Sequence, residues 1–199
     1  MVLTHGAGSN CNSRLLIAVA DAFCASGVMV YRYDLAFRRA RPNGPPSPAT
    51  AKLDRQSIQD AVDLMRGLTA GRVLAGGHSY GGRQTTMASA ENGALADGLL
   101  LLSYPLHPPN HPEKPRTAHF PEVRTPALFV HGAKDPFGSV EEMTAALRTI
   151  PAPVDFMVVD GAGHDLGRNA DKLAGLIAAR AAGFLLAKDA PCGRGSVEY

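Results

Sequence analysis

The sequence is poor in the features that mark crosslinked, membrane-spanning or nucleic-acid-binding chains. Its only cysteines are Cys11, Cys24 and Cys192. They are odd in number and widely spaced, so they suit neither a disulfide framework nor a zinc site and read as free thiols of a reducing cytosol. The net charge is only +2, which argues against general affinity for nucleic acid or a membrane surface. No apolar run approaches the roughly 20 residues needed to cross a bilayer. The amino-terminal segment has no basic stretch followed by a long apolar core, so no secretory signal is expected and the chain reads as cytoplasmic. No internal repeat is visible. What is present is 199 residues with 45% apolar content, enough for one globular domain with a substantial core.

Apolar runs alternate with helical patterns along the chain. Strands are expected at 2–5, 28–33, 72–77, 98–103, 126–131 and 154–160. Helices are expected at 13–26, 54–68, 79–90, 139–150 and 169–187, each with an apolar stripe at helical spacing. Such alternation predicts a parallel sheet covered by helices on both faces. Two long loops, 35–53 and 104–125, follow strands and should lie at the carboxyl ends of the sheet. Residues 1–188 form the expected domain, and 189–199 a mobile tail with little to bury.

Ser79 lies in Gly77-His78-Ser79-Tyr80-Gly81, between the apolar run 72–76 and the helical pattern that follows. A G-x-S-x-G pentapeptide there places a serine on a sharp strand-to-helix turn. Small residues two before and two after it let the strand and helix pass closely. Alone, the pentapeptide could equally be a glycine-rich turn. Three further segments agree with a nucleophilic serine, each at the end of an expected strand. His5-Gly6-Ala7-Gly8 follows the first strand, Asp135 the fifth and His164 the sixth. Carboxyl strand ends are where open parallel sheets bind ligands. His164 is the expected base, and Asp135 the group that orients its imidazole. The backbone N–H groups of Tyr80 and Ala7 are the expected oxyanion donors. Asp160 and Asp165 are weaker candidates for the acid: one ends its strand too early, and the other is adjacent to the histidine.

These motifs, in the order Ser79, Asp135, His164, resemble the α/β-hydrolase superfamily over nearly the whole chain. The segments Leu3–Gly8, Tyr31–Asp34, Gly77–Arg83 and Leu102–Pro109 are similar to a dienelactone-hydrolase-like bacterial group that also contains testis-expressed animal proteins. The resemblance implies a three-layer αβα sandwich. Its sheet is mostly parallel, of about six strands. Superfamily members usually have two strands ahead of the HGxG strand, whereas this sequence starts on it. The strand at 28–33 would then form a sheet edge, to be masked by a homodimer or by the 35–53 loop.

The remaining polar residues have plainer readings. His5 and His131 are expected to brace loops. His78 either lines the pocket or packs. Arg83 either pairs with Asp34 or reaches substrate, the ion pair being the simpler reading. Arg38, Arg39 and Arg41 read as a solvated basic loop. His107, His111 and His119 lie among prolines that deny them helical metal-ligand spacing, so they too read as solvated. His107 is kept beside His78 and Arg83 as a substrate-contact candidate. The expected function is hydrolysis of short-chain carboxylic esters through an acyl-enzyme, without metal or organic cofactor. Other acyl hydrolases with the same triad (thioesterase, lactonase, small peptidase) remain open, as does a non-catalytic interaction module on the same fold. The proline-rich 104–125 segment is too broken to form a large helical cap.

Overall fold

The computed structural model describes residues 1–166 and 170–187. Six strands pair throughout in parallel: β1 (Val2–Thr4), β2 (Tyr31–Tyr33), β3 (Leu74–His78), β4 (Gly98–Leu102), β5 (Ala127–Gly132) and β6 (Val154–Val159). Their order is β2-β1-β3-β4-β5-β6. The interleaved helices are α1 (Arg14–Ala25), α2 (Ala36–Ala40), α3 (Ala51–Leu68), α4 (Tyr80–Glu91), α5 (Val140–Leu147) and α6 (Ala170–Phe184).

Strand alternation divides the core in two. In β4, Leu99 and Leu101 face one side with Ile58, Val62 and Met65 of α3 and Met143 of α5. Leu100 and Leu102 face the other with Leu16, Val19 and Phe23 of α1 and Leu173 and Ile177 of α6. Both faces are apolar because a parallel sheet is covered on both. Local chemistry sets the helix ends. The Ser13 hydroxyl accepts from Leu16 N–H at the start of α1, and Ser139 and Glu142 form a reciprocal capping box at the start of α5.

Several boundaries differ from expectation. The segment 35–53 contains α2 and a short 3₁₀ turn, Pro48–Thr50, and α3 starts at Ala51 rather than at 54. Its proline-rich part borders the cavity that holds Ser79. The edge strand β2 pairs over only three residues. A short edge strand is itself a defence against unwanted pairing, one that the choice between a dimer and a covering loop overlooks. The 104–125 segment has a single 3₁₀ turn, Phe120–Glu122, and forms no helical cap. Tyr104, Leu106, Phe120 and Val123 are buried and tie it to the sheet. Among the described residues no helix is long and apolar enough to cross a membrane. Cys11 and Cys24 are free thiols; Cys192, Asn169 and the expected tail fall outside the described residues.

Candidate active site

Ser79 joins β3 to α4 with φ 52° and ψ −115°, a conformation a non-glycine residue adopts only when its surroundings impose it. The flanking glycines show why they are required. A Cβ on Gly81 would stand 2.6 Å from the His5 carbonyl oxygen, and one on Gly77 would stand 2.8 Å from that of Thr4. The end of β1, the turn and the start of α4 therefore pass at backbone contact, and a side chain at either position would force them apart. Ser79 N–H donates to Leu102 O at 2.8 Å, which ties the turn to β4.

Ser79, Asp135 and His164 come from three strand ends and meet. Ser79 Oγ is 2.8 Å from His164 Nε2, and His164 Nδ1 is 2.8 Å from Asp135 Oδ2. The Asp135 side chain is fully enclosed, and that of His164 remains 22% exposed. The second Asp135 oxygen accepts Phe137 N–H at 2.9 Å. The Phe137 ring lies over the imidazole, centroids 4.2 Å apart and planes inclined by 32°. The imidazole is thus held by a carboxylate at its back and an aromatic ring on one face, with its other nitrogen on the serine.

His78 does not line the cavity. Its Nε2 lies 2.9 Å from the backbone oxygen of His164, and burial lowers its pKa. It braces the loop that carries His164. His5 also braces, with Nδ1 2.8 Å from Gly6 O and Nε2 accepting Leu35 N–H at 3.2 Å. His131 Nε2 is 2.8 Å from Gly138 O, in the loop beyond Asp135.

Ala7 and Tyr80 border the same cavity as Ser79. Among the described residues neither of their N–H groups has a hydrogen-bond partner. The Ala7 loop is fixed from behind by Arg38, which is buried. Its guanidinium donates to Ala7 O at 2.7 Å, Ser9 O at 2.9 Å, Pro42 O at 2.7 Å and Gly44 O at 3.3 Å. This corrects the solvated reading of Arg38: four carbonyls replace water around it and join the 6–9 loop to the 42–44 turn. Tyr80 is fixed by Asp54, whose Oδ2 accepts its hydroxyl at 2.7 Å while Oδ1 accepts Phe37 N–H at 2.9 Å. Burial, then the bond to Asp54, pushes the Tyr80 phenol pKa up.

The cavity measures about 570 Å³, within the range of small-molecule sites. Its walls include Pro45, Pro46, Pro48, Met87, Pro105 and Phe137, and its polar groups include Ser79, Arg83, Gln84 and Arg116. A smaller cavity of about 350 Å³ adjoins the Ala7 loop and is bordered by Arg38, Asn43 and Pro45.

Arg83 does reach the cavity, and the expected pair with Asp34 does not form. Asp34 instead accepts Cys11 N–H at 2.7 Å and lies 3.4 Å from His5. His107 is turned elsewhere: Nδ1 is 2.8 Å from Pro108 O, and Nε2 is 3.4 Å from Glu142. It does not border the cavity. The solvated reading of the three loop histidines holds for His111 alone. His107 is buried, and His119 is half-buried with Nε2 2.8 Å from the Thr86 hydroxyl. Among the described residues no three His, Cys, Asp or Glu side chains gather to hold a metal ion.

Sequence reasoning assigned no role to Asp54, Phe137 or Arg116. Phe137 had a local signal, two residues beyond the acid. Asp54 and Arg116 had none, because their partners lie 26 and 33 residues away in Tyr80 and Arg83.

Comparison with known proteins agrees with this architecture. Est1E from Butyrivibrio proteoclasticus, solved with ferulic acid bound, superposes with a TM-score of 0.76 at 17% identity, covering 94% of this chain and 89% of that one. A dienelactone hydrolase from Anabaena variabilis gives 0.72 at 19% identity, covering 92% and 85%. An alpha-beta serine hydrolase homologue from Coxiella burnetii gives 0.71 at 15% identity, covering 90% and 84%. At these identities the likeness is one of fold. The family model for the alpha/beta hydrolase domain matches residues 1–177, and the chain belongs to that family.

Proposed function

We propose that the protein is a serine hydrolase that cleaves carboxylic esters of short acyl chains through an acyl-enzyme. The observation that carries this reading is the relay Ser79–His164–Asp135, two contacts of 2.8 Å, on a serine in a strained turn. A serine hydroxyl is a weak nucleophile until a base takes its proton. His164 Nε2 takes it as Ser79 Oγ attacks the ester carbonyl carbon. Asp135 accepts from Nδ1–H, which leaves Nε2 free as base and stabilises the imidazolium that forms. The tetrahedral oxyanion is received by the N–H groups of Ala7 and Tyr80, for which no acceptor appears among the described residues. The C–O bond then breaks, and His164 returns its proton to the departing alcohol. Water, deprotonated by the same imidazole, releases the acid from Ser79. The sequence needs no metal or organic cofactor.

A fluorophosphonate probe should label Ser79, and Ser79→Ala should abolish both labelling and nearly all esterase activity. Loss of a triad member commonly costs on the order of 10⁴-fold or more in kcat. Wild-type protein that neither labels nor turns over esters would favour a non-catalytic module on this fold. Ser79→Ala retaining activity within about tenfold would remove Ser79 from the mechanism.

A further inference from the structure

Two arginines are half-buried beside the cavity with no carboxylate partner, whereas Arg14, Arg41 and Arg148, which also have none among the described residues, are exposed. Arg55 pairs with Glu91, Arg66 with Asp97 and Arg180 with Asp155, and Arg38 is surrounded by carbonyls. Arg83 and Arg116 border the cavity that contains Ser79. Among the described residues neither has a carboxylate within 4.0 Å.

Their surroundings offset this only in part, through a hydrogen bond between Arg83 and the Tyr104 hydroxyl. Arg83 Nε is buried without a hydrogen-bond partner. Burial, then the positive charge of Arg83, lowers the pKa of Arg116. The side chains they share are neutral, and a third arginine, Arg55, adds to the positive charge there. The Tyr104 hydroxyl, beside Arg83, donates to the backbone oxygen of Arg116 at 2.6 Å. His119 has its pKa depressed to about 4 by burial and then by Arg83 and Arg55. Acids on the neighbouring helices are engaged elsewhere: Asp54 by Tyr80 and Phe37, Glu91 by Arg55. Two half-buried guanidiniums that repel each other and lack a counter-charge are costly to maintain. A ligand anion would remove that cost, and the forked guanidinium matches the oxygens of a carboxylate or phosphate.

We propose that Arg83 and Arg116 form an anion subsite beside the nucleophile, so that the preferred ester carries a second, negatively charged group, a carboxylate or phosphate. This rests on Ser79 being the nucleophile. Arg83 lies four residues beyond Ser79, about 6 Å along the axis of α4, so the anion and the scissile carbonyl are separated by a short spacer.

The test compares mono-p-nitrophenyl adipate with its neutral methyl ester, p-nitrophenyl methyl adipate. Wild-type protein should favour the anionic ester in kcat/KM by about tenfold or more, and the preference should shrink with added salt, which screens charge attraction. Arg83→Met and Arg116→Met should each lower the anionic-to-neutral ratio toward unity, and the double variant should abolish the preference. Titration calorimetry with adipate and with inorganic phosphate supplies an arm independent of turnover and also separates the two anion classes. Either anion should bind wild-type protein more tightly than the double variant. A ratio near unity in the wild type overturns the subsite while leaving the hydrolase reading intact. If neither ester is turned over and Ser79 does not label, the hydrolase reading fails, and with it an ester-reading role for the two arginines. Binding of neither anion overturns the subsite whatever the esters show. Should the methionine variants misfold, Arg83→Gln and Arg116→Gln replace them, and the salt dependence of the wild-type ratio still decides.

Discussion

Asp54 shows how much one buried side chain can position. It is wholly inaccessible, and its two oxygens hold the backbone of α2 at Phe37 and the hydroxyl of Tyr80, the residue after Ser79. Asp54→Ala leaves the Phe37 N–H and the Tyr80 hydroxyl without their acceptor. An unsatisfied buried polar group costs about 1–3 kcal/mol, so urea denaturation should show a loss of about 2–3 kcal/mol. Tyr80→Phe should cost about 1 kcal/mol, since only one bond is removed. His119 governs a different response. Its pKa is about 4 in the folded chain, against an ordinary 6.5. Between those values the unfolded chain binds more protons, so stability rises with pH across that window. The contribution is complete above about pH 6.5 and is lost as the pH falls toward about 4. Burial lowers His5 and His78 in the same direction. His119→Gln should therefore flatten, without abolishing, the fall in Tm between those pH values. An unchanged slope would show that His119 does not titrate as its surroundings imply.

Among the elements, the β3–α4 turn tolerates least. Gly81→Ala would drive a Cβ into the His5 carbonyl, at 2.6 Å, and the Thr4 side chain, at 2.8 Å. Both belong to the segment leading to Ala7, so the displacement reaches Ser79 and the Ala7 loop together. Overpacking of this kind costs about 1–3 kcal/mol, and esterase activity should fall alongside stability. Gly93→Ala is the control, because nothing lies within 4 Å of its added Cβ. Equal effects of the two substitutions would separate the turn's geometry from its glycines. Strand β2 tells the opposite story: three paired residues suffice at an edge, where a longer flat strand would invite association.

For the whole molecule, the two loops at the carboxyl ends of the strands build much of the cavity wall. Pro45, Pro46 and Pro48 come from one and Pro105 and Arg116 from the other, and together they border the cavity with Phe137 and Met87. The apolar wall is limited, and a long alkyl chain that outran it would lie against Arg83 or Arg116. Each buried methylene favours binding by about 0.8 kcal/mol only where apolar atoms cover it. Among neutral p-nitrophenyl esters, acetyl to butyryl should therefore give the highest kcat/KM, with decline by octanoyl. A maximum at decanoyl or longer would reveal a continuous apolar groove across both loops.

The strands, most helices and the three residues Ser79, Asp135 and His164 were legible along the chain. Apolar alternation reports which segments lie between two helix layers, and the chemistry of a strand-end serine, acid and histidine is carried by residue type and order. The helix over 36–40, the inward turn of Arg38, the Asp54–Tyr80 link and the placing of Arg83 and Arg116 on one cavity were not. Arg38 and Arg116 sit in polar, proline-rich sequence that reads as solvent-exposed, and Arg83 had Asp34 as a plausible partner. Local sequence specifies which groups are charged and which turns are tight. Whether a charge meets carbonyls, a carboxylate or another charge depends on segments brought together across the sheet, and loop packing set that arrangement here. That is why the serine, acid and histidine that meet at the strand ends could be read from the chain, while the groups that support them and border the cavity emerged only from the folded structure.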